Sequence, residues 1–185
     1  MQMERLQGGS VLSRVVSAPG VVVNCVDPRF MDAAVQCTRR LAGNHIVVPR
    51  SRPGGTLRHR LGCAVTQELI NDIAEISIPH HGVLNLFIAH HADCLAYGGR
   101  QKFSSLEEER AAHVSDMRAG KELFVREILA QAEVLLRHGE VTDKEKANLE
   151  RALNGGFQVT SLFLSPPPGR RSFTADQVLV DILVD

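Results

Sequence analysis

The chain has 185 residues, of which 44% are hydrophobic and 23% are charged, a balance typical of a globular protein and not of a disordered or fibrous one. Its 21 Lys and Arg residues equal its 21 Asp and Glu residues, so it lacks the basic excess that binds nucleic-acid phosphates. Its apolar runs are far shorter than the about 20 residues that cross a bilayer. We therefore expect a single cytoplasmic domain over residues 1–185, with no nucleic-acid or membrane partner.

The first half of the chain alternates apolar runs with amphipathic stretches. Buried strands are predicted at residues 21–24, 45–48 and 83–89. A helix is predicted between the first two strands at 28–43, and a second helix at 63–78 that ends before Pro79. Strand, helix, strand, helix, strand is the pattern of crossover units that build a parallel sheet.

The region 100–155 is mainly helical and highly charged. Ser105 and Glu108 form a capping box that begins a helix reaching about residue 138. We expect Gly120 to split this helix, because glycine is a poor helix former. Its charged surface is typical of an outer layer or of a contact between subunits.

The C-terminal residues 156–185 return to strand patterns. A helix at 143–153 precedes strands predicted at 157–164 and 177–184. Residues 1–10 show no period and are expected to be flexible. The elements together predict an α/β fold with three αβα layers, whose central, mostly parallel sheet has about four strands plus a late strand or hairpin.

Side chains with metal-binding chemistry follow the first and third predicted strands. Cys25 follows the first, and His91 and Cys94 follow the third. Ligands collect at the carboxyl ends of parallel strands, so these side chains meet if the two strands are neighbours. Two thiolates and one imidazole suit zinc, and three protein ligands leave the open position of a catalytic site. Cys37 and Cys63 lie on predicted helices, where we assign them to packing.

The pattern Cys25-x-Asp27-x-Arg29, followed by His91-x-x-Cys94, resembles the zinc signature of the β-class carbonic anhydrases. The resemblance implies that Cys25, His91 and Cys94 bind Zn²⁺. It further implies that Asp27 accepts a hydrogen bond from the zinc-bound water, and that Arg29 pairs with Asp27. The implied activity is reversible hydration of carbon dioxide to bicarbonate, and the implied assembly is a homodimer or a higher homo-oligomer.

The resemblance covers about residues 21–99, and the chain departs from the family pattern within it. Pro28, His90 and Leu95 stand where the family usually has a small residue, a glycine and a glycine, and the basic loop 50–55 matches loosely. These departures leave the ligands intact but change the surroundings of the site. Carbonyl sulfide and carbon disulfide are therefore alternative substrates.

Other interpretations of the same residues remain open. Asp27 is also a good N-cap for the helix that follows it. A non-catalytic zinc protein results if Asp27 or another side chain closes the fourth position, and a thiol enzyme using Cys94 is a further alternative. Among the histidines, His90 is a candidate for proton transfer, and His59 is expected on the same side of the sheet, with a plain surface position as the alternative. The pair at 80–81 is expected at the opposite end of the third strand.

Overall fold

The computed structural model describes residues 17–57, 63–169 and 173–183. Predictions for residues 1–10 and for His59 lie outside these ranges. The described residues form a sheet with the strand order β2-β1-β3-β4-β5. Its strands are β1 (Gly20–Asn24), β2 (Val47–Ser51), β3 (Asn85–His91), β4 (Gln158–Ser165) and β5 (Leu179–Leu183). The first four pair in parallel and β5 pairs antiparallel with β4, so the predicted mostly parallel sheet with a late strand is confirmed.

Helices cover both faces of the sheet. They are α1 (Pro28–Leu41), α2 (Ala64–Asn71), α3 (Ile78–His81), α4 (Leu106–His138) and α5 (Asp143–Arg151), and a π-helical segment (Asp72–Ser77) joins α2 to α3. One core lies between the sheet and α1, and the other lies between the sheet and the remaining helices. The αβα fold class is therefore confirmed. Within the described ranges, no helix combines the length and the apolar character that crossing a bilayer requires.

The predicted break of the long helix at Gly120 is wrong, since α4 runs unbroken through it. A Cβ at this position would lie 3.1 Å from the Cβ of Thr56. Glycine lowers helix stability by about 1 kcal/mol relative to alanine, but here it allows the helix to approach the loop after β2. The glycine therefore marks a close contact and not a helix end.

Two predicted boundaries are also wrong. The helix after residue 63 does not end before Pro79, because this proline occupies the first turn of α3, where its missing N–H needs no partner. Strand β2 lies at Val47–Ser51, whereas the prediction was 45–48 and assigned Pro49 to a loop. Proline is tolerated there because β2 is an edge strand of the sheet.

The register of the central strands positions the candidate site. Strands β1 and β3 are buried along their whole length, so both lie in the centre of the sheet between the two helical layers. Asn24 of β1 pairs with Ala89 of β3. Cys25, just after β1, and His91, the last residue of β3, therefore both lie at the carboxyl edge of the sheet, as expected for a ligand site in a parallel fold.

Candidate metal centre

Three potential metal ligands converge at this edge. The ligand atoms of Cys25, His91 and Cys94 all lie within 4.8 Å of one another, and the three residues are buried. The Sγ atoms of Cys25 and Cys94 are 3.7 Å apart. The distance is far longer than the about 2.05 Å of a disulfide, and both cysteines are free.

The arrangement fits a tetrahedral zinc ion. Two thiolates that each lie about 2.3 Å from a tetrahedral zinc are about 3.8 Å apart, close to the 3.7 Å observed between Cys25 and Cys94. His91 supplies the complementary nitrogen. Its Nδ1 lies 2.7 Å from the carbonyl oxygen of Ala92, which can only accept a proton, so Nε2 carries the lone pair. Nε2 is buried and has no hydrogen-bond partner among the described residues, so the donor set fits the metal.

The two thiols interact through their short contact. The hydrogen bond with Cys94 lowers the pKa of Cys25, against burial, which raises it; backbone hydrogen bonds also lower it. The same hydrogen bond and burial raise the pKa of Cys94. Cysteine binds metals as a thiolate, so protons that remain on this pair would be released on metal binding.

A glycine turn after β2 provides a backbone hydrogen bond to Cys25. The amide of Gly54 donates to the Cys25 Sγ at 3.4 Å, a contact that stabilises a thiolate. Gly54 and Gly55 have φ values of 76° and 59°, a region that other residues rarely adopt. The basic loop of the sequence therefore contributes backbone groups to the site.

Asp27 and Arg29 form an ion pair beside the ligands. Asp27 Oδ1 caps α1 by accepting from the Arg29 amide at 3.0 Å, and the Arg29 guanidinium donates to both carboxylate oxygens, with Nη2 2.6 Å from Oδ2. Burial raises the pKa of Asp27, but the hydrogen bonds from Arg29 outweigh it and the pKa is lowered overall. Asp27 Oδ2 lies 3.9 Å from His91 Nε2. An ionised acceptor therefore borders the ligand cluster, and capping and pairing coexist.

An aromatic ring holds the histidine ligand from the side of α1. Phe30 is 3% exposed, and its ring stacks on that of His91 with centroids 4.4 Å apart and an interplanar angle of 15°. Stacking fixes the ring plane, while the Nδ1 contact fixes its rotation. Sequence reasoning did not identify Phe30 as part of the site, although its place on the first turn of α1 is adjacent to Arg29.

His90 belongs to a different cluster, because alternate residues of a strand face opposite sides of the sheet. Its Nε2 accepts from the Thr56 amide at 3.0 Å, so its proton is on Nδ1. That nitrogen lies 3.1 Å from Nδ1 of His113, a residue of α4. Tyr97 packs on His113 with ring centroids 3.8 Å apart. His90 therefore does not join the three ligands.

The α4 members of this cluster were missed by sequence reasoning, which treated the helix as a charged outer layer. Glu109 and His113 are buried on one face of α4, together with Met117. Burial lowers the pKa of His113 to about 4, so this imidazole is neutral. The four-residue spacing of these side chains is the signal that marks a buried helix face.

The remaining cysteines and histidines lie elsewhere. Cys37 packs at the partly buried edge of the α1 core, and burial raises the pKa of its thiol. Cys63 lies at the start of α2. His80, at the end of α3, pairs with Glu145 of α5, its Nδ1 2.7 Å from Oε1. His81 ends α3 before β3 begins, at the end of the strand opposite His91.

Comparison with known proteins returned no matching family model and no matching curated protein. Among solved structures, the chain is similar to the β-carbonic anhydrase CafA of the fungal pathogen Aspergillus fumigatus, with 15% identity, a TM-score of 0.41, and coverage of 90% of this chain and 76% of that one. It is also similar to the β-carbonic anhydrase CcaA, with 13% identity, a TM-score of 0.41, and coverage of 91% and 84%. A Coccomyxa β-carbonic anhydrase in complex with acetazolamide gives 14% identity, a TM-score of 0.38, and coverage of 91% and 73%.

Proposed function

We propose that this chain is a zinc-dependent enzyme that hydrates carbon dioxide to bicarbonate reversibly. The observation that carries the proposal is the buried group of Cys25, His91 and Cys94, with the ionised carboxylate of Asp27 beside it. The sequence pattern of these residues resembles the zinc signature of the β-class carbonic anhydrases. The implied homodimer or higher homo-oligomer and the cytoplasmic location stay predictions.

Each residue of the group has a proposed role. Cys25, His91 and Cys94 would hold the zinc ion. Zinc held by three protein ligands lowers the pKa of a bound water and so supplies a nucleophile near neutral pH. Asp27 presents a lone pair to the space beside His91 Nε2. There the carboxylate would accept a hydrogen bond from a water or hydroxide and so orient its oxygen atom.

Arg29 keeps Asp27 in this role. Its guanidinium and its amide donate to the carboxylate, and these bonds favour the ionised form of Asp27. They also occupy both carboxylate oxygens, which opposes the movement of Asp27 into the position of a fourth metal ligand. The engaged carboxylate thus favours a catalytic site over a closed, non-catalytic zinc site.

The test is carbon dioxide hydration by the zinc-loaded protein, measured by stopped flow with a pH indicator. We expect activity in the unsubstituted protein, loss of activity in Cys94→Ser, and full activity in the matched control Cys37→Ser. A folded, zinc-containing protein without hydration activity would overturn the proposal. Release of sulfide from carbonyl sulfide or carbon disulfide by that same protein would instead assign the site to the alternative substrates.

A further inference from the structure

A carboxylate is buried directly behind the ligand turn. Glu109, in the first turn of α4, is 0% exposed, whereas its neighbours Glu107 and Glu108 are exposed. Glu109 is the one acidic residue among the described ranges that is this completely enclosed. Burying a carboxylate is unfavourable unless hydrogen bonds compensate for the lost water.

The compensating bond comes from the turn that connects two candidate metal ligands. Glu109 Oε1 accepts from the backbone amide of Asp93 at 2.5 Å. Asp93 adopts a φ of 59°, a conformation that costs energy for a residue other than glycine. The turn between His91 and Cys94 is thus held in an unfavourable conformation by a carboxyl acceptor from another element.

The same turn also reaches the ion pair of the site. Asp93 Oδ1 accepts from the Arg100 amide at 3.1 Å, and its Oδ2 lies 3.4 Å from Nη1 of Arg29. A displaced Asp93 would therefore move both the Cys94 side chain and the guanidinium that holds Asp27. The buried face of α4 is coupled through this one residue to Cys94 and to the pair of Asp27 and Arg29.

The geometry points to Glu109 as a positioning residue: by accepting the Asp93 amide, it fixes the turn that directs the Cys94 thiolate at the metal. This role rests on the proposed zinc site, but not on the identity of the substrate. The second oxygen of Glu109, Oε2, has no hydrogen-bond partner among the described residues, and His113 Nε2 lies 4.0 Å from Oε1. The interaction with the turn is therefore the principal one that the carboxylate makes.

The test compares Glu109→Met, which keeps the size but removes the acceptor, with Glu109→Gln, which keeps one acceptor oxygen. Glu107→Gln, a change of an exposed residue in the same first turn of α4, is the control. The readouts are zinc affinity, measured by competition with a chromophoric chelator, and the visible absorption spectrum of the Co²⁺-loaded protein. We expect Glu109→Met to bind zinc about 10- to 100-fold more weakly, the loss typical of a removed outer partner of a ligand. Its Co²⁺ spectrum should change, while both glutamine variants stay near the unsubstituted protein.

A folded Glu109→Met protein with unchanged zinc affinity and an unchanged Co²⁺ spectrum would overturn the inference. A loss of the same size in Glu109→Met and Glu109→Gln would also overturn it, because one acceptor should suffice. Should the methionine variant fail to fold, amide hydrogen exchange of the unsubstituted protein decides. The Asp93 amide should then exchange as slowly as amides of β3, and exchange at the rate of an exposed loop amide would refute the role. None of these readouts requires carbon dioxide hydration, so failure of the activity leaves them interpretable.

Discussion

Substituting Gly55 by alanine tests how tightly the glycine turn packs beneath the site. A Cβ at this position would lie 2.8 Å from Cδ2 and Nε2 of the His90 ring, and the residue has a φ of +59°. The left-handed conformation costs about 1–2 kcal/mol for a residue with a side chain. His90 is 2% exposed and bonded to Thr56, so its ring cannot move away freely, and overpacking adds about 1–3 kcal/mol.

We therefore expect Gly55→Ala to lower the free energy of unfolding by about 2–5 kcal/mol. The protein contains no Trp, so urea unfolding is best followed by far-ultraviolet circular dichroism. Gly155→Ala is the matched control, because Gly155 has a φ of +86° with nothing within 4 Å of its Cβ position. The control should lose only the about 1–2 kcal/mol of the conformational cost. Equal losses in the two variants would refute the contact with His90.

Three further predictions concern the site. Asp27 has a lowered pKa in the folded protein, so its interaction with Arg29 contributes stability above the unfolded pKa of Asp27 and is lost as pH falls through the folded pKa. Arg29→Gln should raise the pKa of Asp27, measured by carbon NMR titration of its carboxyl group, and an unchanged pKa would contradict this. The same substitution should lower the free energy of unfolding at pH 7 by about 0.2–1 kcal/mol, a small loss because the pair is partly exposed. Phe30→Ala should lower the free energy of unfolding by about 3–5 kcal/mol, the usual cost of truncating a buried Phe, and should remove the ring that fixes the His91 imidazole. A loss below about 1 kcal/mol in urea unfolding would show that the stack on His91 is not packed as described. Chelation of zinc should lower the midpoint of thermal unfolding, since a ligand at 100 times its Kd stabilises by about 2.7 kcal/mol; a midpoint indifferent to chelator and to added zinc would argue against a folded-state site.

The parallel sheet was predictable because its central strands are continuous apolar runs. Strands buried on both faces, such as β1 and β3, are rich in apolar residues on both sides, and short runs of this kind between helical patterns favour a parallel sheet. The strand β5 was predictable from its alternation at Val180 and Ile182, whereas its antiparallel pairing with β4 was left open. The boundaries near Pro49 and Pro79 were not, because whether proline ends an element depends on tertiary position, namely an edge strand for one and a first helical turn for the other.

The convergence of the candidate ligands was predictable, whereas their support was not. Cys25, His91 and Cys94 lie at or shortly after the ends of neighbouring strands, and that position places them at one edge of the sheet. Glu109 and Phe30 support the site through packing of α4 and α1 against it, which depends on how the helices lie on the sheet. A glutamate among other glutamates in the first turn of a helix has no pattern that separates it from its exposed neighbours.

The central claim is that Cys25, His91 and Cys94 hold a metal ion, and the zinc content of the protein tests it most directly. We would purify the protein under reducing conditions without chelator and measure zinc per chain by elemental mass spectrometry, beside Cys94→Ser and Cys37→Ser. We predict about one zinc per chain in the unsubstituted protein and in Cys37→Ser, the stoichiometry of a single three-ligand site, and a marked loss in Cys94→Ser. Folded, reduced protein that contains no zinc and takes up none when it is supplied would contradict the claim.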